Sequence, residues 1–201
     1  MQTSKYHLDL GCGAKPRNPF SYEVVCGVDL VAHSIPEQGI EIRTANLSID
    51  QIPYPDNTFD AVSAFDFIEH IPRILNGGEH GTRFPFIELM NEIWRVLKHD
   101  GVFYALTPGY PSNEAFIDPT HVNFITAGTH TYFCEGRCYG KNYGFTGMFK
   151  ARRVAWVYPR LHYRANDDFS TRLKTIFRKL KLKPQTHILW ELQAIKHDQP
   201  S

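Results

Sequence analysis

A glutamate-histidine pair one helical turn after an aspartate, Asp66-Phe67-Ile68-Glu69-His70, brings together residue types that bind metals or move protons. Positions i, i+3 and i+4 of a helical turn share a face, so the three polar side chains converge. A second cluster, Asp118-Pro119-Thr120-His121-Val122-Asn123, adds another imidazole. Two chemistries suit this set. In one, Asp66, Glu69, His70 and His121 coordinate a divalent cation, which lowers the pKa of a bound hydroxyl. Carboxylates favour Mg²⁺ there, and imidazoles lean toward Mn²⁺, Fe²⁺ or Zn²⁺. In the other, His70 or His121 is a general base, since imidazole titrates near neutral pH. The metal-free reading is the favoured one.

These residues need a frame, and the apolar runs supply it. Strands are expected near Tyr6–Leu10, Val24–Asp29, Ile40–Asn46, Phe59–Phe65 and Val102–Thr107, with later ones at Arg153–Tyr158 and His187–Ile195. Between the fourth and fifth, Phe84, Ile87, Met90, Trp94 and Leu97 form a helical stripe. This alternation predicts a mainly parallel α/β sheet. The first strand breaks at once into Asp9-Leu10-Gly11-Cys12-Gly13, and the second closes on Asp29. Glycines let backbone approach a ligand without a Cβ, and the ends of neighbouring parallel strands face one crevice. The pair describes a nucleoside-shaped site with a carboxylate for ribose hydroxyls. A dinucleotide would want a third glycine at the helix start, but the chain continues Ala14-Lys15-Pro16. Asp9 would repel phosphates and suits a cationic ligand instead.

Acid-x-Gly-x-Gly after strand one, Asp29 after strand two, Ala45-Asn46-Leu47 after strand three, Pro55-Asp56-Asn57-Thr58-Phe59-Asp60 into strand four, and Glu92 through Val102 occur in that order. The series resembles the class I S-adenosylmethionine-dependent methyltransferases over about Leu8 to Thr107. The resemblance implies a Rossmann-like, doubly wound, seven-stranded sheet, mainly parallel with an antiparallel edge. It implies that Asp9, Gly11, Cys12, Gly13, Asp29, Leu30, Asn46, Leu47 and Phe65 hold S-adenosyl-L-methionine, with Asn46 and Leu47 beside the adenine. Only about ten residues separate Gly13 from strand two, and they include Pro16 and Pro19, so the first helix is shortened. That shortening is similar to the small methyltransferases of bacterial surface-polysaccharide gene clusters. The Asp66 to His121 set looks like the metal site of small-RNA 3′-terminal 2′-O-methyltransferases, with a shorter first acid. Ubiquinone-pathway O-methyltransferases are similar in the first half.

A sulfonium methyl is already activated, so such an enzyme must position the acceptor and remove its proton. Histidines and carboxylates point to oxygen acceptors, and no Asn-Pro-Pro-Tyr motif for nucleobase amines follows strand four. The expectation is O-methylation of a sugar or polysaccharide-precursor hydroxyl. The alternatives are an RNA terminus, a small phenolic metabolite, or a non-catalytic cofactor-binding domain that serves a partner.

Composition bounds these readings. At 201 residues the chain fits one domain over 1–201. Net charge is +1, so no global field draws it to nucleic acid. No apolar run reaches bilayer-spanning length and the first residues do not read as a signal peptide, so a cytoplasmic location is expected. The four cysteines lack metal-pair spacing and are expected as free thiols. Late aromatics, among them Tyr132, Phe133, Tyr139, Tyr143, Phe145 and Phe149, alternate with glycines. They line an acceptor pocket or pack the domain edge. Arg172 to Lys183 reads as a basic amphipathic helix. The expectation is a helix packed on the sheet, and the alternative is a surface for anionic lipid or a lipid-linked substrate.

Overall fold

Each apolar run becomes a strand of one sheet, because only in a sheet can so many short, buried segments share their backbone hydrogen bonds. In the computed structural model, residues 4–31, 40–78, 81–165 and 168–196 are described. Strands β1 (Tyr6–Leu10), β2 (Val24–Asp29), β3 (Glu41–Thr44) and β4 (Phe59–Phe65) are followed by a two-residue hairpin, β5 (Leu75–Asn76) and β6 (Thr82–Arg83). Helix α1 (Pro85–Val96) leads into the long β7 (Leu97–Pro108). A single turn, α2 (Glu114–Ile117), precedes β8 (Phe149–Val157), α3 (Phe169–Leu180) and β9 (His187–Ala194). The main sheet has seven strands in the order β3-β2-β1-β4-β7-β9-β8. The first five are parallel, while β9 lies antiparallel between β7 and β8. This is a Rossmann-like α/β sheet, as expected. The order reverses at β1 and β4, which is where such sheets open a crevice.

The two faces are covered differently. On one, Leu8, Leu10, Val28, Val62, Phe103 and Trp190 pack under α1 and the 47–54 segment in the larger core. The buried side of α1 is Phe86, Leu89, Met90, Ile93 and Val96. That stripe is rotated from the one read in the sequence: Ile87 and Trp94 lie at its margin. The Arg95 guanidinium grips the strand-four turn, donating to the Tyr54 and Ile52 carbonyls (2.9 and 2.8 Å) and to Asp56 and Glu92 (both 2.7 Å).

On the other face Phe65, Tyr104, Leu106, Val157 and Leu189 form a smaller cluster. Its cover comes from the segment where the first helix was expected in shortened form. None of residues 11–23 is helical, which goes beyond the expected shortening. Proline cannot continue a helix, so Pro16 and Pro19 hold this stretch as loop. Phe20 stacks on Tyr22 (5.3 Å between ring centroids) and meets Tyr104 edge-on (5.6 Å). Gly27 in β2 makes room for the same loop: a Cβ there would lie 2.5 Å from Cys12 Sγ and 2.8 Å from Pro16 Cγ.

All four cysteines are free thiols, and among the described residues no helix is long and apolar enough to cross a membrane. The loop's dependence on a bare β2 backbone is testable. Gly27→Ala should cost about 1–3 kcal/mol in denaturant unfolding, the usual penalty for overpacking. An unchanged midpoint would mean that the loop does not rest on β2.

Candidate active site

The glycine loop is built by backbone geometry. Gly11 and Gly13 have φ of 63° and 58°, a region that side chains disfavour. The Gly11 N–H donates to the Val28 carbonyl (2.9 Å), and the Gly13 N–H donates to Asp29 Oδ2 (2.8 Å). Asp29 Oδ1 accepts from the Val31 N–H (3.1 Å), so this carboxylate is fixed at the crevice rim. No atom lies within 4 Å of where a Gly13 Cβ would project, whereas a Cβ on Gly11 would strike the Phe67 ring at 2.3 Å. Gly13 therefore offers bare backbone to a ligand, and Gly11 admits Phe67.

Asp9 has a different place from the one its motif suggests. It is 2 % exposed, beside Ser63 in the β1–β4 register. Ser63 Oγ donates to Asp9 Oδ1 (2.5 Å), and the Arg17 N–H donates to Oδ2 (2.8 Å). With its proton committed, the Ser63 oxygen accepts from His7 Nε2 (2.9 Å). Burial pushes the Asp9 carboxyl up to about 7 and His7 down to about 3. Asp9 thus holds the loop to the sheet. Arg17, which the sequence reading missed, has its guanidinium against both the Phe65 and Tyr163 rings at 4.9 and 5.0 Å, and those rings meet edge-on at 6.0 Å. Phe65 is buried in that cluster. Leu30 is exposed and Leu47 is buried in the core. The Asn46 side chain accepts the Ser48 N–H at 3.2 Å, closing the turn after β3.

Beyond β4 the chain makes a single 3₁₀ turn, Ile68–His70. The Glu69 carbonyl accepts the N–H groups of both Val122 and Asn123 (2.9 Å each). The two polar clusters are joined in this way, and Glu69, His70 and His121 each offer a ligand atom within 4.8 Å of the others. The imidazole rings meet edge to face with centroids 4.8 Å apart. Glu69 is 1 % exposed; its Oε2 accepts from Thr107 Oγ1 (2.9 Å), while Oε1 is buried with no hydrogen-bond partner. His121 Nε2 is 4.0 Å from that oxygen. Burial raises the Glu69 pKa to about 8, with Asp66 and Asp118 adding to the rise.

Both histidine tautomers follow from their partners. His121 Nδ1 faces the Ala115 carbonyl (3.3 Å), which only accepts, so Nδ1 carries the proton. Thr120 Oγ1 donates to Asp118 Oδ1 (2.6 Å) and therefore accepts from His70 Nδ1 (3.0 Å). Each Nε2 is left with a free lone pair, able to take a proton or bind a cation. Asp66, expected in this set, is elsewhere. Its backbone has φ 51°, and its Oδ1 pairs with His187 Nε2 at 3.1 Å. His187 was read only as the start of a strand; nothing local in the sequence couples it to Asp66, 121 positions away.

Of the late aromatics, Phe133, Phe145 and Phe149 are core, and Phe133 also joins Tyr132, Tyr143, Phe84, Ile74 and Arg73 around a cavity of ≈ 500 Å³. Asn123 lines that cavity and also touches the Glu69 turn, its Nδ2 donating to the Ile68 carbonyl (3.1 Å).

The glycine loop and the Asp29 carboxylate stand together at the switch point of this sheet. Residues 8–105 match the methyltransferase domain family. With the fold, the match supports a class I S-adenosylmethionine-dependent methyltransferase. No curated protein matches the sequence. Among solved structures, similarity extends to the Haloferax volcanii complex between the Trm112 methyltransferase activator and a candidate methyltransferase (15 % identity, 100 % of this chain and 87 % of that one, TM-score 0.57). It extends to an S-adenosylmethionine-dependent methyltransferase from Archaeoglobus fulgidus (16 %, 96 % and 87 %, 0.55) and to the [4+2]-cyclase SpnF (14 %, 98 % and 77 %, 0.56). At such identities the likeness shows the fold, and a fold alone leaves the reaction open.

The raised Glu69 pKa sets a stability trend. A carboxyl whose folded pKa exceeds its unfolded value costs nothing below about 4.5, and its penalty grows as pH rises toward about 8. Chelator-treated Glu69→Gln should match the parent near pH 4 and exceed its stability at pH 8 by a few kcal/mol, on the order of one per unit of pKa shift. A stability difference without a pH trend would contradict the buried, protonated carboxyl.

Proposed function

We propose that this methyltransferase domain methylates an oxygen acceptor, with Glu69, His70 and His121 as the activating group. The carrying observation is the pair of free Nε2 lone pairs beside the unpartnered Glu69 Oε1. S-adenosylmethionine, when bound, supplies a methyl already activated on sulfur. Gly11 and Gly13 would lie under it and Asp29 would take its ribose hydroxyls; the open side of Gly13 fits that role. Leu30 at the exposed rim, and Asn46 after β3, are the residues we assign to the adenine side.

The chemistry left to this chain is removal of one proton. In the metal-free reading His121 Nε2 accepts the hydroxyl proton as the methyl passes from sulfur to oxygen, and Glu69 Oε1, 4.0 Å away, offsets the imidazolium charge once the carboxyl ionises toward pH 8. Effective orientation comes from the Ala115 carbonyl, which holds the ring in one tautomer. A divalent cation, Mg²⁺ or Mn²⁺, is the competing reading for the same three residues, and Glu69 would then be ionised. Acceptors on both Nδ1 atoms, the Ala115 carbonyl and Thr120 Oγ1, are what metal-bound histidines have, while the loss of Asp66 to His187 leaves three protein donors instead of four.

For the acceptor we keep a sugar or polysaccharide-precursor hydroxyl as the first class. The cavity beside Asn123 favours a second, a small phenolic metabolite, because its walls are mostly Phe, Tyr and Ile side chains. A net charge of +1 argues against an RNA terminus.

Calorimetry and turnover separate these roles. Asp29→Ala should weaken S-adenosylmethionine binding at least about tenfold, the scale of one charged hydrogen bond. His121→Ala should keep cofactor affinity and lower kcat by about 100-fold or more, as loss of a general base does. Unchanged turnover in His121→Ala would sink both versions of its role. Chelation followed by Mn²⁺ readdition distinguishes them, since only the metal reading predicts loss and recovery. Cofactor binding with no product from any hydroxyl acceptor would favour a binding domain that serves a partner.

A further inference from the structure

Helix α3 is mounted with its polar side inward. Its half-buried residues are Thr171, Thr175 and Arg178, one stripe at about 100° per residue. The Arg178 guanidinium lies 5.4 Å over the Tyr158 ring, and Tyr158 OH donates to the Lys183 carbonyl (2.8 Å). The opposite stripe, Phe169, Leu173, Ile176 and Leu180, faces outward with Phe177 at its margin, and no residue of the helix is buried. Exposure is 81 % at Phe169 and 77 % at Leu180, and reaches 90 % at Leu182 just beyond the helix. The expected packing of this apolar stripe on the sheet is therefore not what forms. A dozen residues with a helical hydrophobic period have been turned away from the core.

Charge is segregated onto the same element. Phe169 to Lys183 holds six Lys and Arg, and no acid occurs from Phe169 to Trp190. The remaining sixteen Lys and Arg face all 21 Asp and Glu, so the rest of the chain is net −5 while this segment is +6. Arg172 and Lys179 flank the apolar stripe on one side, Lys174 and Lys181 on the other, where the Lys181 ammonium is 4.5 Å from the Phe177 ring centroid. A neighbouring cleft sets Arg160 and Arg164 beside Lys174, with Asp168 as the one acid among them.

We propose that α3 is an interfacial helix that lays this apolar stripe on an anionic lipid surface. An apolar stripe bordered by cations on both sides matches a bilayer interface, where methylene stems sink and charged ends reach the headgroups. A second copy of the chain is a poorer occupant, because a two-fold contact over the stripe would set these cations against their own copies. The helix is too short to span a bilayer. It feeds β9, whose first residue pairs with the last of β7, so it approaches the same end of the sheet as the candidate active site.

The test is co-sedimentation of the full chain with phosphatidylglycerol-containing vesicles and with pure phosphatidylcholine vesicles, at low and high salt. Binding to the anionic vesicles alone, falling about tenfold or more with salt, is expected. Leu173→Asp with Leu180→Asp should reduce it at least about tenfold through lost apolar insertion, and Lys179→Glu with Lys181→Glu should do so through charge. These side chains are exposed, so cofactor binding and thermal unfolding should match the parent. Absence of binding to anionic vesicles, or binding indifferent to both double variants, overturns the proposal. So does a dimer in sedimentation equilibrium that Leu180→Asp dissolves while vesicles are ignored, or capture of an acidic peptide in their place.

Discussion

One buried carboxyl group holds the N-terminal half of this fold in register. Asp9 ties β1 to β4 through Ser63 and ties the loop back to the sheet through the Arg17 N–H. Once the Arg17 backbone is fixed, its guanidinium lies against the Phe65 and Tyr163 rings. The Asp9 carboxyl and the Arg17 guanidinium between them thereby join four parts of the sequence. In many sheets of this type a helix after β1 would do this work through its own hydrogen bonds. Here two prolines exclude that helix, and a polar anchor in a low-dielectric setting replaces it. The anchor explains why the carboxyl is held so far above its usual range: it is desolvated, and its partners only partly compensate.

The sheet was legible in the sequence because burial on both faces leaves continuous apolar runs, and Tyr6–Leu10, Val24–Asp29 and Phe59–Phe65 form strands over those spans. The glycine turn was legible because backbone conformation dictates residue type there, and Asp29 because it closes an apolar strand beside that turn. Side-chain direction was not. The Asp9 motif reads as a ligand contact, yet a strand end exposes or buries its residue according to what covers it, and the cover is Pro16 to Tyr22. The stripe of α1 was rotated for a similar reason: Ile87 and Trp94 are as apolar as Leu89 and Ile93, so period alone does not choose between adjacent faces. For α3 the period was right and the direction inverted, since an amphipathic pattern states that two faces differ but not which one meets the protein.

The same distinction runs through the candidate active site. Glu69 and His70 share a turn, so their proximity is local and readable. Their union with His121 rests on two backbone hydrogen bonds to one carbonyl, which no composition or spacing records. Asp66 carries the right side chain one turn away, but its left-handed backbone directs it to His187. What gives the cluster chemical character is the outer layer. Ala115, Thr120 and Asp118 fix which nitrogen of each ring is free, and Thr107 occupies one Glu69 oxygen while leaving the other bare.

The contact between Gly11 and Phe67 has a consequence for how this sequence can drift. The aromatic ring fills the volume that any side chain at position 11 would need, and it lies two residues before Glu69. The glycine loop and the turn that carries Glu69 therefore behave as one inherited character. A lineage that enlarged residue 11 would have to shrink residue 67 in the same step or lose both halves of the site together.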